Sequence, residues 1–486
     1  MLTRLRVQGF KNLRDVDVQF GLFTCIAGAN GVGKSNLFDA ITFLSDLASM
    51  PIIKACSKVR GAQGRAADFE SLFFKEKGSD IQRMVFHAEL IIPNEVVDDF
   101  DRKAKSTATL VEYTLTLRLN SDVSSGVSKE PVYIEKEELR AKPSSEAQKF
   151  LQFDGGSELA KNKNIIFGPG SRTSPFIETE VNGSDVAILL RGDAGGRGSP
   201  QRISAHKSPQ TVLSGVNLSS HPTALAARRE MQSWRMLQLE PTALRAPDDV
   251  FGESSISPTG MHLPNTLFRL GHYGDIANRL ADLIPGVESL DVDTDQVRQQ
   301  RALSVTMSDK RAYSASSLSD GTLRFLALAV LSSDPDSSGL VCLEEPENGI
   351  HPQRIPEMIR LVRELSDAAL SNQDLAECKN LRQVIINTHS PLVVAELVDD
   401  ELLFAETLRL KAQSFANFKP INGTWRIKSS PASPQSFITR GEVHAYLSGN
   451  KRPTTTRRSK LVIDLLDGSN DTFDLFQQTL PSTRNS

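Results

Sequence analysis

Residues 22–41 read LFTCIAGANGVGKSNLFDAI. The stretch divides into three parts with different physical demands. Residues 22–27 are apolar and rich in strand formers, so they read as a buried strand. Residues 28–33 hold three glycines in six positions, which let the backbone turn inward and present N–H groups. From Ser35 the apolar residues Leu37, Phe38, Ile41, Leu44 and Leu47 recur at helical spacing. A strand, a glycine loop and a helix in that order, with the pattern GxxxxGK[ST], form a phosphate-binding loop. Gly28, Asn30, Gly31 and Gly33 shape the cradle, Lys34 reaches the β and γ oxygens, Ser35 supplies a hydroxyl for Mg²⁺ and starts the helix, and Asn36 is a further nucleotide-binding candidate. The ligands implied are ATP and Mg²⁺.

Outward from the loop, the chain opens with strand-like alternation at 2–7 and 16–20, and strand-rich sequence returns at 84–93 and 110–119. Residues 121–215 are rich in Ser, Gly, Lys and Glu and read as a peripheral insertion, whereas 221–240 and 263–285 show helical spacing. At 321–388, helical segments alternate with the apolar runs 339–343 and 383–388. This is the grammar of a mostly parallel sheet, so the fold class is α/β. Beyond 430 the sequence is rich in Ser, Pro and Thr and reads as weakly ordered.

Three further motifs fall at points where such a sheet would place chemistry. The run Leu340 to Leu343 ends in Glu344 and Glu345. Acids after a strand are commonly a solvated turn, but beside a phosphate loop the first supports a metal and the second activates water. Ser319 and Gly321 stand at the start of the helical run 323–331, where a hydroxyl and free N–H groups can meet an anion. His389 follows the run 383–388 and can bond a γ-phosphate or the attacking water. Each of these motifs is weak alone; their order along the chain is what carries weight.

The order phosphate loop, LSxG signature, double-acid strand and switch histidine resembles the head of ABC ATPases, of the SMC, RecF and OLD branch. Gly9-Phe10-Lys11-Asn12-Leu13, residues 30–41 and Glu344-Glu345-Pro346-Glu347-Asn348-Gly349-Ile350-His351-Pro352 look like the AAA15 or AAA21-type ATPases in particular. The resemblance implies a discontinuous ABC-type head: lobe one at 1–120, an inserted α+β lid or arch at 121–300, lobe two at 301–400 and a partly disordered extension at 401–486. It implies an ATP hydrolase with Lys34, Glu345 and His389 in the chemistry, and Ser35 and Glu344 on Mg²⁺. Lys11 and Asn12 would lie beside the nucleotide. Ser319 and Gly321 would act on ATP held by a second copy, making a homodimer or higher homo-oligomer. Asp320 departs from the motif by placing an acid near the phosphates, and Gln63 and Gln82 are the candidates for the Q-loop glutamine.

Spacing argues against a transporter subunit, because Lys34 and Leu318 are 284 residues apart and no sustained heptads fill the gap. A metal-dependent nuclease domain after 400 would need a DxD cluster, which is missing; Asp464, Asp467, Asp471 and Asp474 read as a solvated tail. An effector, a nuclease or a toxin, is therefore expected to be a separate protein, with antiphage defence the leading role, RecF-like DNA repair next and an ATP-gated scaffold third. Net charge is −3, so DNA binding would need local patches such as Lys451 to Lys460, or Arg191, Arg197, Arg202 and Lys207. No apolar run reaches the length of a membrane span and the start lacks a signal-peptide core, so the expected location is the cytoplasm. The four cysteines, far apart, predict neither a zinc site nor a disulfide framework.

Overall fold

The computed structural model describes residues 1–61, 69–75, 82–120, 130–168, 170, 174–183, 185–193, 199–337, 339–371, 381–410, 413–428 and 437–447. Two large sheets organise these residues. The first has six strands in the order Arg235–Leu237, Gly339–Glu344, Arg382–Thr388, Phe23–Ala27, Leu402–Leu410 and Gln413–Pro420. The first five run parallel and the last is antiparallel. Parallel strands are covered on both faces, so they read as continuous apolar runs. Alternate residues serve opposite faces: Leu340, Cys342 and Ile385 join one core, Val341, Leu343, Val384 and Ile386 the other.

The first core holds the helix Lys34–Leu47, and the second holds Asp320–Ser333 and Ile355–Ser371. Lys34–Leu47 is buried nearly all round because it lies between the two sheets. Its Phe43 stacks on Phe10 at 5.6 Å and meets Phe86 at 5.7 Å, both on strands of the second sheet. That sheet is antiparallel throughout, in the order Gln201–Ser204, Asp185–Leu190, Ile177–Asn182, Val132–Ala141, Leu110–Leu119, Arg83–Ile91, Leu2–Phe10 and Leu13–Gln19. Gln383 ties the sheets together: its amide accepts from Leu2 N–H at 2.9 Å and donates to the carbonyls of Leu2 and Gly21 at 2.7 and 2.8 Å.

Residues 121–300 are spread over three places. Their first four strands continue the antiparallel sheet, Arg235–Leu237 forms an edge of the parallel sheet, and Leu263–Leu270, Tyr273–Leu283 and Val287–Asp295 build the second core with the helix Asp320–Ser333. The helical spacing read at 221–240 holds only for Pro222–Gln232; a strand follows, because Trp234 and Leu237 turn into the core from an extended chain. After 400, Leu402–Leu410 lies beside Phe23–Ala27 rather than opening a separate domain. The helix Arg440–Leu447 then packs Tyr446 edge-on against Phe404 at 5.1 Å. Cys25, Cys56 and Cys342 are free and buried, whereas Cys378, Gln63, Arg197, the basic run 451–460 and the aspartates after 460 lie outside the described residues.

Candidate nucleotide site

Four strands of the parallel sheet end at one edge, and each hands over to a candidate residue there. Phe23–Ala27 leads into the glycine loop, Gly339–Glu344 ends on the paired acids, Arg382–Thr388 leads to His389, and Arg235–Leu237 is followed by Gln238. The carboxyl edge of a parallel sheet is where such folds bind ligands.

The loop is closed by its neighbours. A Cβ on Gly28 would lie 2.4 Å from the Ala405 carbonyl oxygen, and one on Gly33, at φ +113°, 2.7 Å from both Ala416 Cβ and Asn12 Nδ2. No other residue type fits those two positions. Asn12 braces the turn, donating to the Val32 carbonyl at 3.4 Å and accepting from Asn36 Nδ2 at 2.7 Å. Asn30 and Gly31 are exposed at the mouth. Lys34 folds back so that its ammonium donates to the carbonyls of Gly28 and Ala29 at 2.7 and 2.9 Å. Burial holds its pKa below the ordinary lysine value, against the opposing pull of Glu345 and Glu347. Its helix carries no acid in the first turn and no side-chain cap, so its first N–H groups face the loop unshared by either.

The acids divide in character. Glu344 is gripped by Arg60, whose Nη1 donates to both carboxylate oxygens at 3.0 Å. The same guanidinium reaches Asp39 Oδ1 at 2.7 Å and the Ser35 carbonyl at 3.1 Å. Lys11 Nζ closes the cluster on Asp39 Oδ2 at 2.7 Å and the Arg60 carbonyl at 2.8 Å. Glu345 sits at φ +44°, a left-handed conformation that costs a non-glycine residue about 1–3 kcal/mol. Two bonds from its N–H hold it there, to the Asn387 carbonyl at 3.2 Å and Asn387 Oδ1 at 3.1 Å. Its carboxylate meets Asn348 Nδ2 at 2.9 Å and His389 Nδ1 at 2.8 Å. Burial pushes Glu345 up, but the bonds from Asn348 and His389 together with Lys34 hold it below the ordinary glutamate value. His389 is anchored through its carbonyl, which accepts from Tyr446 Oη at 2.7 Å.

The signature stands apart from this cluster. Ser319 caps the helix Asp320–Ser333, accepting from Thr322 N–H at 3.2 Å. Gly321 faces the loop after the acids, where a Cβ would lie 3.0 Å from the Gly349 oxygen. Among the described residues, no hydrogen bond joins Ser319 or Gly321 to the phosphate loop of the same chain.

The family model described as "AAA domain, putative AbiEii toxin, Type IV TA system" matches residues 23–183 and 221–395, more than half of the chain. The chain belongs to the AAA_21 family. It is an ATPase of that type, with a discontinuous P-loop head whose two matched segments carry the glycine loop on one side and the signature, acids and histidine on the other. Among solved structures it is similar to an SMC head bound to the C-terminal winged-helix domain of ScpA, at 15% identity, covering 86% of this chain and 98% of that one, with a TM-score of 0.41. An SMC head with an extended coiled coil, bound to the C-terminal domain of ScpA, from Pyrococcus furiosus gives 12% identity, 86% and 96% coverage and a TM-score of 0.42. The SMC head domain from Thermotoga maritima gives 12%, 85% and 97%, and 0.34. No curated protein matches the chain by sequence.

Two residues of the AAA_21 head were not legible in the sequence. Arg60 lies 284 residues from the acid it grips, and no local pattern marks it. Gln238 lines a cavity of about 180 Å³ with Asp39, Asp46, Arg60 and Glu344. The candidate Gln82 adjoins the antiparallel strand Arg83–Ile91, whose start lies beside Gly9, and is not on the parallel sheet that carries the site. The residues fit Mg²⁺: a hydroxyl and one carboxylate beside a phosphate site are its usual protein ligands. A cationic guanidinium already lies against that carboxylate and the Ser35 backbone. Arg191 and Arg202, read as possible phosphate contacts, are instead paired with Glu178 and with Glu180 and Asp185. Among the described residues no helix is long and apolar enough to cross a membrane.

Proposed function

We propose that this AAA_21 protein hydrolyses ATP at an interface between two copies and that the cycle gates a separate effector, a nuclease or toxin, in bacterial antiphage defence. The observation that carries the hydrolytic reading is Glu345: a carboxylate on a strained backbone, held below the ordinary glutamate value, bonded to His389 of the neighbouring strand end, with the phosphate loop one strand further on. In this reading Lys34 swings from the loop carbonyls onto the phosphates, with Gly28, Asn30, Gly31, Gly33 and Asn36 shaping the cradle. Ser35 and Glu344 hold Mg²⁺, which when bound neutralises phosphate charge, and Arg60 must leave Glu344 for that to happen. Glu345 takes a proton from water as its oxygen adds to the γ-phosphorus and ADP departs, while His389 fixes the carboxylate's orientation. Gln238 takes the Q-loop role. Lys11 and Asn12 support the site from beneath. Ser319 and Gly321 serve the second copy's ATP, in keeping with the lack of any bond to their own loop. The defence reading draws on the family description, which names a putative toxin of a toxin–antitoxin system.

The test is ATP turnover by the purified chain, alone and with double-stranded DNA, with Glu345→Gln as control. Turnover should fall by about 10²–10⁴-fold in the variant, while ATP is still bound and a closed dimer accumulates in size-exclusion light scattering. Turnover unchanged in the variant would remove Glu345 from the chemistry. Strong DNA stimulation of the wild type would move the role from defence to DNA repair.

A further inference from the structure

Asp320 occupies the first position of the signature helix, where its charge suits the helix dipole but would oppose an incoming phosphate. The chain answers that charge locally. Arg245, at the C-terminal end of the short helix Pro241–Leu244, donates Nη2 to Asp320 Oδ1 at 2.5 Å and to the Leu318 carbonyl at 3.0 Å. Among the described residues Asp320 is its sole acidic partner, and neither Nε nor Nη1 makes a hydrogen bond. Both side chains reach solvent, at 28% and 49% exposure, on the surface that holds Ser319 and Gly321.

We propose that Arg245 is a phosphate ligand supplied in trans: clamped to the signature by Asp320, it offers its remaining N–H donors to the terminal phosphate of ATP bound by a second copy. The planar guanidinium has donors enough to bridge two anions at once, a carboxylate on one edge and a phosphate on the other, which an ammonium cannot do in fixed geometry. Asp320 is then a positioning residue, and its presence in the motif has a reason. The inference rests on the composite-site reading, so the experiment separates the two.

Arg245→Ala and Ser319→Arg are each assayed alone and in equimolar mixture with Lys34→Ala. Each single variant should lose about 100-fold in turnover, the cost of one transition-state donor. Each mixture should recover roughly a quarter of wild-type turnover, since half of the dimers are mixed and carry one complete site apiece. Arg245→Lys should fall between, and Arg245→Ala with Asp320→Asn should stay low. Full turnover in Arg245→Ala overturns the inference, as does recovery in the double variant, which would reduce Arg245 to neutralising Asp320. Recovery by the Ser319→Arg mixture without recovery by the Arg245→Ala mixture leaves the composite site standing but overturns the inference, since Arg245 would then be needed in the chain that binds the ATP. If neither mixture recovers, the composite-site reading falls and takes Arg245's role with it.

Discussion

In the eight-stranded sheet Glu89 is matched on every side, by Arg4 at 3.6 Å, Lys142 at 3.0 Å and His87 at 3.8 Å, and Arg4 turns its other edge to Asp17. Glu137 on the same sheet accepts from the N–H groups of Val212 and Leu213 at 2.7 and 2.8 Å and from Tyr113 Oη at 3.1 Å. At the edge of the six-stranded sheet the charges are provisional by contrast. Lys34 has only carbonyls for partners, Glu345 remains 30% exposed, and Glu344 is held by Arg60, itself half exposed. Both sheets shift pKa values, so a shifted pKa alone does not mark a site. What separates them is closure: one sheet satisfies its charges internally, while the other leaves donors and acceptors aimed at a common opening.

That contrast predicts opposite kinds of damage. Lys34→Ala should abolish ATP binding, read by calorimetry, with turnover lost entirely and the thermal midpoint unchanged or raised. The reason is that its buried ammonium serves no structural partner beyond two carbonyls and is costly to keep dry. A large fall in midpoint would place Lys34 among the structural charges and break the contrast. Glu89→Leu is the reverse experiment. Removing one partner of a buried network costs about 3–5 kcal/mol, so the unfolding midpoint in urea should drop sharply, while turnover per folded molecule stays at the wild-type value. Burial pushes Glu89 up, but His87, Lys142 and Arg4 more than offset it and hold the carboxyl at about 2. The stability it contributes is therefore present above pH 4.5 and lost as pH falls toward 2. Specific turnover falling with stability would mean that the second sheet takes part in the chemistry.

How much of this could be read beforehand follows the same divide. Residues 28–35, the acids Glu344 and Glu345 and His389 were legible because each lies at a strand end, where an apolar run gives way to a polar group within one or two positions. Arg60, Arg245 and Gln238 were not, because each meets the site through a contact set by tertiary packing. Arg245 lies 75 residues from Asp320, and Gln238 follows a strand of three residues, too short to show a period. The antiparallel strands within 121–215 were read as a peripheral lobe. Asp185–Leu190 is a short strand whose last four residues are all buried, so it shows no alternation, and turn residues on either side dominate the composition.

Glu137 gives the smallest and most selective test. Burial raises its carboxyl to about 7, against the three bonds that favour ionisation, while in the unfolded chain it titrates near the ordinary 4.5. The folded chain then binds a proton that the unfolded chain has released, so stability falls as pH rises from 4.5 to 7 and levels off above, by roughly 3 kcal/mol in all. This is the opposite sign and a different window from Glu89, although both sit on one sheet. Glu137→Gln removes the titration while keeping an acceptor for one of the N–H groups. Thermal midpoints measured from pH 5 to pH 8 should fall by a few degrees more in the wild type than in the variant. Parallel slopes would show that the bonds from Val212, Leu213 and Tyr113 keep Glu137 ionised throughout. Its burial would then be of the same kind as that of Glu89.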